Sequence, residues 1–139
     1  MAATVRKVRG LFVALFALCV ALTALPSVAF AAYATQTGAI TISGVSPEDK
    51  VDIYRVVDYT YNNNNTVTWD FTHNFGIDRN SYTKPDSDVK GYADQMATYV
   101  LKKDNNVQPT ETETVAAGAT SVTFNNMDDG EYLVIVTPA

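Results

Sequence analysis

The sequence predicts a mainly β chain, a β-sandwich decorated by one inserted helix and incomplete at its C-terminal end. Three observations predict it. Segments dense in β-branched and aromatic residues recur between clusters of Gly, Pro, Asn and Asp. The apolar period changes from two to helical spacing only once, between Asp86 and Asp104. The final apolar run, Tyr132 to Val136, reads as a central strand buried on both faces, yet only Thr137, Pro138 and Ala139 follow it.

Residues 1–31 are set apart as a secretory signal peptide. Arg6, Lys7 and Arg9 form a basic start, Leu11 to Leu25 an apolar stretch, and Pro26 to Ala31 a small-residue exit, with cleavage expected between Ala31 and Ala32. About fifteen apolar residues are short against the roughly 20 that a spanning helix needs. A lipoprotein signal at Cys19 is disfavoured by Leu18, because lipidation requires a small residue before the cysteine.

Cleavage leaves residues 32–139, 108 residues and room for one domain. Of ten basic residues three leave with the leader, so seven face fifteen acids, a net charge near −8. Such a surface repels phosphate backbones, and no nucleic-acid partner is expected. The single cysteine, Cys19, leaves too, so the domain must hold together by packing, by a non-disulfide crosslink or by assembly.

The elements follow in order. "GAITISG", Gly38 to Gly44, alternates as a half-buried strand, and "SPED" supplies a turn. "KVDIYRVVDYTY", Lys50 to Tyr61, is apolar on both parities and predicts a long covered strand. The four asparagines 62–65 predict a hairpin turn, since asparagine tolerates positive φ. Thr66 to Thr72 alternates with Val67, Trp69 and Phe71 on one face, Trp69 being a core anchor in preference to a sugar-stacking platform.

Periodicity is lost from His73 to Asp88, which reads as loop. A helix follows, with Asp86, Ser87 or Asp88 as cap, a Tyr92/Met96/Val100 stripe, and Lys102 and Lys103 at the negative end of the dipole. Residues 105–120 are polar, with a short edge strand or plain loop near Glu111 to Val115. The closing segment pairs a strand through Val122 and Phe124 with the run Tyr132 to Val136 across a turn at Asp128-Asp129-Gly130.

Chemistry is sparse. His73 is the sole histidine, with no local serine motif, and reads as a surface residue. One histidine and no mature-chain cysteine give no zinc set, and the acids at 128–129 lack the spacing and closing Glu of a calcium loop. No catalytic, cofactor or metal residue is assigned. A secreted hydrolase would need two carboxylates within glycosidase range, which nothing in the spacing promotes.

"VTFNNMDDGEYLVIV" resembles the recurring V-x-F-x-N-L-x-x-G-x-Y line of prealbumin-like, Cna-B type domains of Gram-positive surface proteins, with Met127 where leucine is preferred. "GAITISGVSPEDKVDIYRVVD" and the helix "GYADQMATYVLKK" are similar to the opening strands and the helix of the N-terminal domain of sortase-assembled backbone pilins. The resemblance spans nearly all of residues 38–136. It implies an Ig-like or prealbumin-like sandwich and a structural subunit of a covalent surface pilus, secreted and held at the cell wall, with other pilin subunits and a sortase as partners.

The resemblance also implies an LPxTG-like sorting signal and a Y-P-K-N-like pilin motif. Neither stands in this chain: Lys84 in "YTKPD" has the wrong order, and the expectation is that the sequence is the N-terminal part of a longer protein. Family domains often carry a Lys–Asn isopeptide bond, made by a buried neutral lysine beside a protonated carboxyl. "GAITISG" has no lysine, so Lys50 is the nearest candidate and no complete triad is expected. The alternative function is a surface adhesin module holding a host glycan or matrix protein through Trp69, Tyr82 or the acidic surface. Residues 32–139 alone should leave Tyr132 to Val136 with an unpaired edge, and so dimerise or aggregate.

Overall fold

The computed structural model describes residues 4–8, 11–18, 36–82 and 89–139. Ala31, Ala32, Cys19, Lys84 and the cap candidates Asp86, Ser87 and Asp88 lie outside the described residues. The chain is mainly β, with strands β1 (Thr4–Val8), β2 (Leu11–Leu18), β3 (Thr37–Ser43), β4 (Lys50–Tyr61), β5 (Val67–Phe71), β6 (Glu111–Thr114), β7 (Ser121–Asp128) and β8 (Gly130–Thr137). Helix α1 is one turn, Arg79–Tyr82, within the segment expected to be loop, and α2 runs Val89–Leu101 where the helical period lies.

Two sheets result, an arrangement compatible with a β-sandwich. The large one has the order β1-β2-β8-β4-β5, with β6 also on β4, and the small one pairs β3 with β7. All pairs are antiparallel. β4 needs its twelve residues because one edge faces β8 while the other is shared, Lys50 to Ile53 taking β6 and Val57 to Tyr61 taking β5. Between those ladders Thr110 and Thr72 close the gap: Thr110 N–H donates to Ile53 O, and the Thr72 hydroxyl and N–H donate to Arg55 O and Val56 O.

The large sheet is covered on both faces, as the apolar character of β4 and β8 on both parities requires. Toward the small sheet it presents Val51, Ile53, Tyr132, Val134 and Val136, which pack with Ile40, Ile42, Val45, Val115, Phe124 and Met127. Toward α2 it presents Tyr54, Val56, Val57, Leu133 and Ile135, against Phe75, Ala93, Met96, Ala97 and Val100. The helix face therefore includes two alanines besides the expected Met96 and Val100, while Tyr92 is half-buried at its margin.

Two bulges make this possible. In β4 the register shifts between Arg55 and Val57, so Val56 and Val57 both join the helix side. In β7 the register shifts where Gly38 faces Met127 and Ile40 faces Phe124, and Asn126 takes a φ of 56°. That shift lets Phe124 and Met127, of opposite parity, enter the same core.

The turns follow their residues. Pro47 and Glu48 (φ 68°) form a turn closed by Asp49 N–H to Ser46 O and by Ser46 N–H to the Asp49 carboxylate. In the asparagine run Asn65 (φ 60°) turns the chain and Asn62 N–H bonds Thr66 O.

The expected turn between two neighbouring strands at Asp128-Asp129-Gly130 is instead a corner. β7 and β8 are not paired; the chain leaves the small sheet and enters the large one. Gly130 is required there because a Cβ would stand 2.5 Å from Val57 O and 2.8 Å from Arg55 Nε. Locally the two kinds of turn look alike, so the crossing is invisible in sequence.

The edge of β8 is not open in the full chain. Residues 12–18, within the segment expected to be a signal peptide, pair with it over seven consecutive positions, Phe12 opposite Val136 through to Leu18 opposite Gly130. An apolar segment of either parity suits a sheet buried on both faces, and α2 lies against β2 as well as β8.

Candidate functional site

Three places in the fold have the ingredients of a site: the pocket beside His73, the acidic flank around Lys50, and the edge and ends of the central strands.

The pocket, about 210 Å³, is walled by Tyr54, Phe75, Val100 and Val107, with Arg55, Thr72, His73, Gln108 and Thr110 at its polar rim. His73 is exposed, its Nδ1 is 3.1 Å from Thr72 Oγ1, and its ring lies against Phe75 and Tyr99. No Asp or Glu lines the pocket, so a carboxylate pair of glycosidase type is not formed around His73. The Thr110 hydroxyl already accepts from Arg55 N–H, and the Arg55 guanidinium bonds Asp129 O and pairs with Asp58 at 3.0 Å. Two of its polar residues, Arg55 and Thr110, are thus tied into the fold, although Arg55 Nε is buried without a hydrogen-bond partner.

Lys50 opens β4. Its side chain is 55% exposed and pairs with Asp52 at 3.2 Å, while Asp52 accepts from the Thr112 hydroxyl at 2.6 Å. A crosslinking lysine must be buried and neutral, and Lys50 is neither enclosed by apolar groups nor free of a carboxylate partner.

Trp69 and Tyr82 fall in an aromatic cluster that sequence reading did not anticipate. Trp69 meets Phe71 edge-on at 5.2 Å and Tyr82 at 5.9 Å; Phe71 meets Tyr82 at 4.9 Å and Phe75 at 5.8 Å; Tyr82 meets Tyr92 at 5.1 Å. The Arg79 guanidinium lies 4.4 Å from the Trp69 ring centre and donates to Trp69 O. Arg79 therefore occupies one face of the indole. The only advance signal was aromatic density between Tyr59 and Tyr99, spread over strand, loop and helix.

Two acids stand at the corner, Asp129 buried and Glu131 half-buried. Burial raises the Asp129 carboxyl, opposed by the charge of Arg55. Burial also raises Glu131, opposed by the Tyr82 hydroxyl beside it. That hydroxyl makes no hydrogen bond of ordinary geometry, and burial first, then the Glu131 charge, raises its own pKa. The Tyr132 hydroxyl donates to Asp128 O and is pushed up to about 12, chiefly by burial.

The strands themselves give the third candidate. At one pole Gln36 O, just ahead of β3, accepts from Asp129 N–H at the corner into β8. At the other pole Thr137 pairs with Lys50, and Ala139 N–H donates to the Asp49 carboxylate, beside the turn that follows β3. Gln36 and Thr137 thus lie a full strand apart, roughly 25 Å at about 3.3 Å per residue.

Comparison of the chain with protein-family models, with curated proteins and with solved structures finds no match. Among the described residues no group of three or more His, Cys, Asp or Glu is placed to hold a metal ion, and no helix is long and apolar enough to cross a membrane.

Proposed function

We propose that the chain is an exported structural subunit, the N-terminal Ig-like or prealbumin-like domain of a sortase-assembled surface pilus. The observation that carries this reading is the placement of Gln36 and Thr137 at opposite poles. Tension along that axis loads the β3–β7 and β4–β8 ladders in shear, many hydrogen bonds at once. A domain made to be pulled benefits from that geometry, and one made to turn over a substrate does not need it. The motif order from Gly38 to Val136 supports the same assignment.

The adhesin alternative fits less well, because Trp69 is capped by Arg79 and Tyr82 is packed among other rings. The test is made on the cells that produce the protein. Cell-wall extracts boiled in detergent and probed with antibody to this domain should show a ladder of high-mass species that collapses on deletion of the sortase. A single monomeric band in both strains contradicts the proposal.

A further inference from the structure

We infer that Asn64 is an N-glycosylation acceptor, whose side-chain amide receives a sugar activated through an anomeric phosphate. The inference goes beyond the proposed function and rests neither on sortase assembly nor on the loss of residues 1–31. Transfer of a sugar to asparagine needs a serine or threonine two positions on, with no proline between. Of the ten asparagines in the chain only Asn64 meets that requirement, in Asn64-Asn65-Thr66.

The fold holds this triplet where a transferase can reach it. β4 and β5 stay paired as far as Tyr61 with Val67, past Asp58, the last residue of β4 that faces β8. The turn between them therefore projects beyond the central pair of the large sheet, and Asn63 to Thr68 are all exposed. Its backbone closes without the Asn64 side chain: Asn65 N–H donates to Asn62 O, Asn62 N–H donates to Thr66 O, and Asn65 supplies the φ of 60°. A sugar on Asn64 displaces no core side chain and breaks no backbone hydrogen bond of the turn.

Thr66 prepares the amide. Its hydroxyl donates to Asn64 Oδ1 at 2.6 Å and accepts from the Asn62 amide at 3.2 Å. An amide nitrogen is a poor nucleophile because its lone pair is delocalised into the carbonyl. A donor on Oδ1 stabilises the negative charge that builds on that oxygen as the N–H proton leaves. In the transfer Asn64 Nδ2 bonds the anomeric carbon, the bond from that carbon to the phosphate oxygen breaks with its electron pair going to the phosphate, and the Nδ2 proton passes to a base of the transferase. Asn63 and Asn65 have the same side chain and are exposed too, but no hydroxyl residue stands two positions after either, so they serve as controls.

The test is made on the chain purified from the cells that produce it, by mass spectrometry of the tryptic peptide Val56 to Arg79 with electron-transfer fragmentation. Asn64 should carry a glycan. Asn64→Gln and Thr66→Val should each abolish it, whereas Asn63→Gln and Asn65→Gly, which keep the triplet and the turn, should retain it. A glycan on the exported chain alone assigns a lipid-linked donor outside the membrane; one also present on chain retained inside the cell assigns a nucleotide-linked donor. An unmodified Asn64, a glycan on Asn63 or Asn65 instead, or one on Asn64 that survives Thr66→Val overturns the inference. The sortase-dependent ladder should form with or without Asn64, so the two ideas fail separately.

Discussion

The two faces of the large sheet are built on different principles. The face toward β3 and β7 is mostly aliphatic, drawn largely from strands with Val45 and Val115 added from their flanks, and its one polar tip, the Tyr132 hydroxyl, is hydrogen-bonded. The face toward α2 is aromatic at its margin, is assembled from a helix and the loop 72–82, and encloses the Tyr82 hydroxyl beside the Glu131 carboxyl. One side is fixed by strand periodicity, and the other is completed by parts of the chain that carry no period. The first should be rigid and intolerant of deletion, and the second more forgiving.

The corner that joins the sheets should be the most sensitive point. Gly130→Ala places a methyl against Val57 O and Arg55 Nε, and should cost about 2–4 kcal/mol of unfolding free energy, read by denaturant titration. Next come the cavities. Ile53→Ala on the aliphatic side is expected to cost about 3–4 kcal/mol and Met96→Ala on the helix side about 2–3, both measured by chemical unfolding. A larger loss at Met96 would reverse the comparison. Trp69→Ala, at a half-exposed ring, should cost only about 1–2 kcal/mol while removing much of the near-ultraviolet circular dichroism.

The smallest effects concern the buried polar pair. Tyr82→Phe removes a buried hydroxyl with no ordinary hydrogen bond, and should be neutral or stabilising by up to about 1 kcal/mol. Glu131 has its carboxyl raised above the ordinary 4.5 by burial, so the native state binds its proton more tightly than the unfolded chain does. Its contribution is in place below pH 4.5 and is lost as pH rises through the folded-state value. Thermal melts should therefore show Glu131→Gln gaining on the wild type between acid and neutral pH; a constant difference between the two would mean that the carboxyl titrates normally.

Much of the strand framework was legible in the sequence for the same reason that the aliphatic face is robust. Lys50 to Tyr61 coincides with β4, and Trp69 and Phe71 pack on the helix-side core as their alternation predicts, whereas Val67 at the start of β5 is 44% exposed. The helical period placed α2. What could not be read is what depends on distant partners. The bulges at Val56 and Asn126 reverse parity without leaving a pattern, and Asp128-Asp129-Gly130 gives the same local signal whether it closes a hairpin or crosses between sheets. The apolar run from Leu11 reads in sequence as an export signal, and pairing with β8 uses the same hydrophobicity, so nothing in residues 11–18 announced it. For the candidate sites, the placement of Gln36 and Thr137 at opposite poles is a property of topology and was not visible, whereas the exposure of Lys50 followed from its position at a strand mouth.

The claim that the strands are arranged to carry axial tension is tested most directly by single-molecule pulling on the chain. Handles at Thr37 and Thr137 load the ladders in shear, and handles at Ser43 and Ser121, directly paired at one pole, peel β3 from β7 bond by bond. The unfolding force should be severalfold higher from pole to pole than for peeling. Equal forces, or a weaker pole-to-pole response, would contradict the account.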